Sequence, residues 1–186
     1  TPLGLTAGHA LEVRESVEVL AGGGPSDVIE LTLALAREML DSVGFTDVDP
    51  AENLRNGKAM DTWKAMIQAQ GGDPDAPLPV ASVRHSITAP ASGVLTRLDA
   101  MAVGVAAWRL GAGRARKEDF VSPTAGVVWF AKEGDTVTAG QPLLELHTDD
   151  EGLLAGGLAA LDGGFEIGVA FTPASLIVDK VSAPAG

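Results

Sequence analysis

Val127-Val128-Trp129-Phe130-Ala131-Lys132-Glu133-Gly134-Asp135-Thr136-Val137-Thr138-Ala139-Gly140-Gln141-Pro142-Leu143-Leu144-Glu145-Leu146 is the stretch whose reading decides the fold. Two short apolar runs, Gly126 to Ala131 and Pro142 to His147, flank the polar turn Lys132-Glu133-Gly134-Asp135 and read as strands. Gly134 and Gly140 are expected to take turn conformations with positive φ, which glycine adopts without a steric cost. Val137, between them, is expected to drop into the core. The lead-in to this stretch is echoed earlier in the chain. Ile87-Thr88-Ala89-Pro90-Ala91-Ser92-Gly93-Val94-Leu95 and Val121-Ser122-Pro123-Thr124-Ala125-Gly126-Val127-Val128 each bend through small residues and Pro, then enter a strand at Gly-Val.

The run Gly134-Asp135-Thr136-Val137-Thr138-Ala139-Gly140 resembles the biotinyl/lipoyl half-motif Gly-Asp-x-Val-x-x-Gly. That resemblance implies a barrel-sandwich fold. A swinging-arm carrier would also need an exposed Lys on the hairpin after the first half-motif. The corresponding stretch, Asp99-Ala100-Met101-Ala102, has none. The fold is therefore expected without the carrier function, and a non-catalytic biotinyl/lipoyl-like binding or interaction module stands as the alternative reading of the chain.

Working outward, Val83 to Thr88 and Gly93 to Leu98 read as strands, and Asp99 to Leu110 as an Ala/Val-rich helix closed by Gly111-Ala112-Gly113. Residues 151 to 161 read as a helix weakened by Gly156-Gly157, and Phe165 to Phe171 as a strand. The tail from Ser182 is expected to fray. Upstream the periodicity is helical. Residues 9 to 20 place Val13, Val17 and Leu20 on one side and Glu12, Arg14, Glu15 and Glu18 on the wet side, and Gly22-Gly23-Gly24-Pro25 ends the run. Ser26 reads as the N-cap of the next helix, with Asp27 in its first turn and Glu30 near the capping-box position. That helix carries Val28, Leu31, Leu35 and Met39 on one stripe, to about Val43. Asp49-Pro50 opens a short helix that breaks near Asn56-Gly57. Residues 59 to 70 continue helically with Met60, Trp63, Met66 and Ile67. Pro74, Pro77 and Pro79 then make a stiff connector. The predicted class is α+β, with a helical segment over 1–77 and a β-rich part over 78–186.

The chain has 186 residues and a hydrophobic fraction of 46%, which argues for a folded core. Aromatics are only 4% and Tyr is absent, so that core must be aliphatic. A net charge of −12 argues against non-specific nucleic-acid binding and against docking on anionic membranes. With no Cys, disulfides, thiolate catalysis and Cys-ligated zinc are excluded. No apolar run reaches the roughly 18 residues of a membrane span, and the first residues do not read as a signal peptide. A cytoplasmic location is expected.

Motifs that carry chemistry are sparse. Gly111-Ala112-Gly113-Arg114 follows a helix rather than a strand and lacks the Lys-Ser/Thr of a P-loop, so a helix C-cap is the better reading. Arg114, Arg116 and Lys117 are followed by Glu118 and Asp119, which favours a solvated loop over an anion site. His9, His85 and His147 are scattered, without zinc-ligand spacing. No Ser-His-Asp arrangement, no Gly-x-Ser-x-Gly and no carboxylate pair stands out.

The opening run Thr1-Pro2-Leu3-Gly4-Leu5-Thr6-Ala7-Gly8-His9-Ala10-Leu11-Glu12-Val13 reads as closing a loop that arrives from upstream. Its pattern Pro-Leu-Gly-x-x-x-Gly-(Asn/His)-Ala-Leu-Glu-Val resembles a signature of the pyrimidine-nucleoside (thymidine) phosphorylase family. Ala69-Gln70-Gly71-Gly72-Asp73 and Leu110-Gly111-Ala112-Gly113-Arg114-Ala115-Arg116-Lys117-Glu118-Asp119 are similar to further family segments, so the resemblance runs through nearly the whole chain. It implies a carboxy-terminal portion, the 1–77 helices being the remainder of a truncated α/β domain. It also implies reversible phosphorolysis of pyrimidine nucleosides to free base and (deoxy)ribose 1-phosphate, with phosphate and nucleoside as ligands of the parent.

The family's phosphate loop, Lys-His-Ser-Thr-Gly-Gly, and its base-holding Arg, Ser and Lys do not occur here, so no catalytic residue is carried over and the chain alone is expected to be inactive. Three positions align with family ligands of potassium: the carbonyls of Leu3 and Thr6 and the carboxylate of Glu15. Such a set would be a partial site, and an ion is not expected to be held by this chain alone. Otherwise Glu15 is an exposed helix residue. No other cofactor is implied. His9, where the family has Asn, reads as a local hydrogen-bonding substitution at a helix start. The parent is expected to be a homodimer through parts absent here, and the chain alone a monomer.

Overall fold

Helices dominate before Gly71 and strands after Ser82, with one exception near the start. In the computed structural model, which describes residues 1–181, the order is β1 (Thr6–Ala7), α1 (His9–Leu20), α2 (Ser26–Ser42), α3 (Pro50–Arg55), α4 (Lys58–Ala69), β2 (Val83–Thr88), β3 (Gly93–Leu98), α5 (Ala100–Ala107), β4 (Gly126–Trp129), β5 (Thr136–Val137), β6 (Pro142–Thr148), α6 (Leu154–Ala160) and β7 (Phe165–Gly168). The fraying expected from Ser182 lies outside the described residues. The class is α+β, as the sequence predicts.

The strands form two open antiparallel sheets. One runs β1-β4-β6-β2 and the other β5-β3-β7. In the first, Val127 pairs with Leu146 and Trp129 with Leu144, so one face is apolar; Val128 with Glu145 and Gly126 with His147 make up the other face. In β3 the register shifts between Leu95 and Arg97, and this bulge lets both Leu95 and Leu98 point inward. The core lies between the two apolar faces. Leu95, Leu98, Val127, Trp129, Leu144 and Leu146 meet Val103, Ala106 and Leu110 from α5 and the turn after it. Each Leu or Val among them contributes about 1.5–3 kcal/mol by leaving water.

The half-motif behaves as expected locally. Gly134 and Gly140 have φ of 98° and 84°, and Val137 is buried. The two lead-ins also do the same work. A Cβ on Gly93 would lie 2.6 Å from the Gly168 carbonyl oxygen, and one on Gly126 would lie 2.2 Å from that of Ala7. Glycine at both places admits a crossing backbone.

Several expectations change. Thr6–Ala7 is an edge strand rather than loop, and Thr136–Val137 is also a strand. Two residues are too few to show alternation. The predicted Phe165–Phe171 strand stops at Gly168, where pairing with β3 ends. Ser26 does not cap α2. Pro25 holds that position without a side-chain bond, and the polar group that matters there is Asp27, engaged by distant residues. Asp49 and Asp99 do cap α3 and α5, accepting from Ala51 N–H and Ala102 N–H. The predicted Asp99–Leu110 helix widens after Ala107 into a π-type turn, Trp108–Ala112, which Gly111 breaks with φ 109°. The largest change is in α1, whose buried residues are Ala10, Leu11 and Val19 rather than Val13, Val17 and Leu20.

Candidate functional site

Turning α1 onto Leu11 and Val19 carries Glu15 with them, because positions four apart share a helix face. Leu11 packs over Gly126 of β4, which fixes the face that meets the sheet. Glu15 is thus half-buried and not on the wet side. Burial raises its pKa from the ordinary value, against a lowering by the Leu5 amide that donates to its Oε2 at 2.7 Å. The Thr6 hydroxyl lies near the carboxylate without a directed hydrogen bond, and Oγ1 is buried and unpartnered.

The loop over residues 2–6 is held at alternate groups. Gly4 N–H donates to Asp27 Oδ2 at 3.1 Å, and the Trp129 indole N–H donates to the Gly4 carbonyl at 2.9 Å. Trp129 N–H donates to the Leu5 carbonyl at 3.0 Å. That bond sets the pleat of β1, so the Thr6 carbonyl points away from β4 along the open edge of the sheet. Among the described residues no hydrogen bond reaches the Leu3 carbonyl. Gly4 itself has φ 69°, and a Cβ there would sit 2.3 Å from Glu15 Oε1. The structure therefore brings Thr6 and Glu15 together, while the Leu3 side chain is exposed and its backbone adjoins Gly4. Two unengaged carbonyls and one carboxylate, all oxygen, suit a hard cation of low charge. A cavity of about 460 Å³ opens beside them, lined by Leu5, Leu11, Arg14, Glu18 and Trp129 among others.

Two residues of this site, read in the sequence only as a first-turn acid and a turn residue, meet in a way that no local pattern reports. Lys132, in the turn after β4, forms an ion pair with Asp27 at the start of α2, and its Nζ also lies 3.5 Å from the Pro2 carbonyl. Burial works to raise the Asp27 pKa, but the Lys132 ammonium and the Gly4 amide outweigh it and hold the carboxyl below its ordinary value. Lys132 and Asp27 are 105 positions apart, which no local pattern can report.

Elsewhere the polar clusters have structural work. His9 Nε2 lies 2.7 Å from the Ala112 carbonyl, so its bond is long-range rather than local. His147 is buried on the face of β6 under α1, 2.7 Å from Glu145 Oε1 but with neither ring nitrogen in a well-directed hydrogen bond. Asp149 accepts from Ser82 N–H at 2.9 Å and from the Thr124 hydroxyl, tying the connector to the β4 lead-in. The loop at Arg114–Asp119 is exposed, with Asp119 accepting from the amides of Ala115 and Arg116. Among the described residues no group of three or more His, Asp or Glu converges as a metal centre, and no helix is long and apolar enough to cross a membrane.

Residues 94–168 match the pyrimidine nucleoside phosphorylase C-terminal domain. Over 166 residues the chain is 51% identical to thymidine phosphorylase of Mycobacterium tuberculosis, covering 89% of this chain and 39% of that protein. It is 38% identical over 161 residues to pyrimidine-nucleoside phosphorylase of Bacillus subtilis, covering 81% of this chain and 37% of the relative. With the Staphylococcus haemolyticus pyrimidine-nucleoside phosphorylase the figures are 37% over 187 residues, 95% of this chain and 43% of the relative. The chain thus spans about two-fifths of the length of the curated relatives it matches. It belongs to the pyrimidine-nucleoside phosphorylase family and carries that family's C-terminal domain.

Proposed function

We propose that the chain is the C-terminal part of a cytoplasmic pyrimidine-nucleoside phosphorylase, a pentosyltransferase that reversibly converts a pyrimidine nucleoside and phosphate into free base and (deoxy)ribose 1-phosphate. The observation that carries this is 51% identity to a thymidine phosphorylase across 89% of the chain. The part in hand supplies support rather than chemistry: its 186 residues contain no Lys-His-Ser-Thr-Gly-Gly segment. In this reading 1–77 completes an α/β domain and 78–186 is a β-rich barrel-sandwich module. The paired roles of Gly93 and Gly126 and the two turn glycines support the barrel-sandwich assignment. Closure of the large domain on the substrate-bearing part would be braced by this module.

The carbonyls of Leu3 and Thr6 and the carboxylate of Glu15 are proposed as part of a potassium site completed by residues outside this chain. When bound, the ion would add a fixed positive charge that draws the loop and α1 together. The free directions of the two carbonyls support that assignment. The carrier alternative is disfavoured because α5 begins where an arm-bearing hairpin would stand, at Asp99-Ala100-Met101-Ala102. The parent is proposed to be a homodimer and this chain a monomer.

The experiment is a phosphorolysis assay of the purified chain with thymidine and with uridine. No release of base is expected, and turnover of either would overturn the division of labour. Light scattering at the same concentration checks for a monomer.

A further inference from the structure

The junction between α3 and α4 carries the dipeptide Asn56-Gly57. α3 ends at Arg55, and Asn56 follows with φ −96° and ψ 1°. Gly57 then turns left-handed with φ 81°, and no atom lies within 4 Å of where its Cβ would stand. Hydrogen bonds from three successive amides hold the junction. Asn56 N–H donates to the Glu52 carbonyl at 2.9 Å, Gly57 N–H to that of Leu54 at 3.4 Å, and Lys58 N–H to Asn56 Oδ1 at 3.1 Å. The Gly57 bond is longer than an ordinary N–H···O bond. Asn56 is exposed, and neither α3 nor α4 contributes a buried residue, so the junction opens without uncovering the core.

We infer that Asn56 is a site of spontaneous covalent modification, losing its side-chain amide through attack by the Gly57 nitrogen. At ψ 1° that nitrogen is turned away from the Asn56 side chain, so attack needs a rotation about ψ. The rotation gives up the long bond to Leu54 and the bond from Lys58, and the absent Cβ of Gly57 leaves the nitrogen unhindered. A bond forms between Gly57 N and Asn56 Cγ, the Cγ–Nδ2 bond breaks, and the side-chain NH2 leaves with the Gly57 amide proton as ammonia. Water then opens the five-membered imide, giving its hydroxyl to a carbonyl carbon and its proton to the Gly57 nitrogen. Opening at Cγ leaves an aspartate. Opening at the Asn56 main-chain carbonyl reroutes the chain through the side chain as isoaspartate. Nothing is oxidised or reduced. The aspartate keeps an acceptor for Lys58 N–H and adds a negative charge at the start of the 12-residue α4, where the helix dipole favours it. Asn53 is the internal comparison, because it lies within α3 and is followed by Leu54 rather than glycine.

The test is peptide mass spectrometry on the folded 186-residue chain, followed over time in mildly alkaline buffer. Cleavage after Glu52 and before Asp61 releases residues 53–60, which carry both asparagines. Exchange of NH for O is read as a mass gain in fragment ions containing Asn56, and isoaspartate as a second, chromatographically separate isomer. Asn56 is expected to convert at least about tenfold faster than Asn53, because glycine leaves the attacking nitrogen unhindered. Gly57→Ala should slow conversion by a similar factor. Asn56→Gln, whose longer side chain would have to close a six-membered ring, should show no gain at that position. Asn56→Asp reports the aspartate product and should melt no lower than wild type. The inference is overturned if Asn56 of the folded chain converts no faster than Asn53, or if conversion appears only in urea. It is also overturned if Gly57→Ala keeps the wild-type rate. Should Gly57→Ala not fold, its rate is compared with that of wild type in urea, where equal rates overturn the inference and a slower variant supports it. A lower Tm for Asn56→Asp overturns the account of the aspartate product. None of these readouts depends on the phosphorylase proposal, which stands or falls on base release.

Discussion

Gly4 has the least freedom to change of any residue at the candidate site. Its φ of 69° is left-handed, and a methyl group there would collide with the Glu15 carboxylate. Gly4→Ala should therefore cost about 1–2 kcal/mol of backbone strain and about 1–3 kcal/mol of overpacking, read as a lowered urea midpoint with an unchanged m-value. His147 gives a second outcome at this scale. Burial holds its pKa below the ordinary 6.5, against the opposing pull of Glu145, with Arg84 from β2 and Arg14 from α1 also facing it. In the pH range below 6.5 the unfolded chain takes up a proton that the folded chain refuses, so this group makes stability fall as pH falls towards the folded pKa. His147→Gln should flatten that decline, measured as the difference in urea stability between neutral and mildly acidic buffer. If the variant keeps the wild-type slope, the burial account of His147 is wrong.

At the scale of elements, the capped and strongly bounded ones are legible in the sequence and the short ones are not. β2 and β3 end where the runs Val83–Thr88 and Gly93–Leu98 end, because Ala89-Pro90 follows the first and the helix-capping Asp99 follows the second. Asp49-Pro50 opens α3 as read, since an Asx cap and a Pro at the first helical turn act within a few residues. Asp99 does the same for α5, whose Val103 and Ala106 lie in the core. Asp99→Ala is accordingly expected to destabilise the chain by about 1 kcal/mol, visible as a lower Tm. By contrast, β1 exists only because Gly126 leaves room for the Ala7 carbonyl, and α1 is correctly bounded but turned to a different face. Val13 and Val17 fit the helical period as well as Leu11 and Val19 do. Only the sheet beneath decides between the two stripes, and with it whether Glu15 faces water or the loop.

Across the whole molecule, packing is uneven. The core cluster draws on β3, β4, β5, β6, α5 and the turns near them, whereas α2, α3 and α4 contribute no buried residue. Leu35, Met39, Val43 and Phe45 are exposed along and just beyond α2. Backbone amides of α2 to α4 should then exchange with solvent through local openings well before those of β4 and β6, in a hydrogen-exchange experiment on the folded chain. Equal protection in both parts would contradict this picture of the packing. The amino-acid sequence by itself determined the α+β class, the bounds of most elements, the turn glycines of the half-motif and the family, because these rest on neighbours within a few residues or on matching runs. Tertiary structure alone decided that Glu15 turns inward, that Asp27 and Lys132 meet, and that the carbonyls of Leu3 and Thr6 take no hydrogen bond among the described residues. Those outcomes depend on which helix face the sheet accepts and on charges more than a hundred positions apart, and no local pattern encodes either.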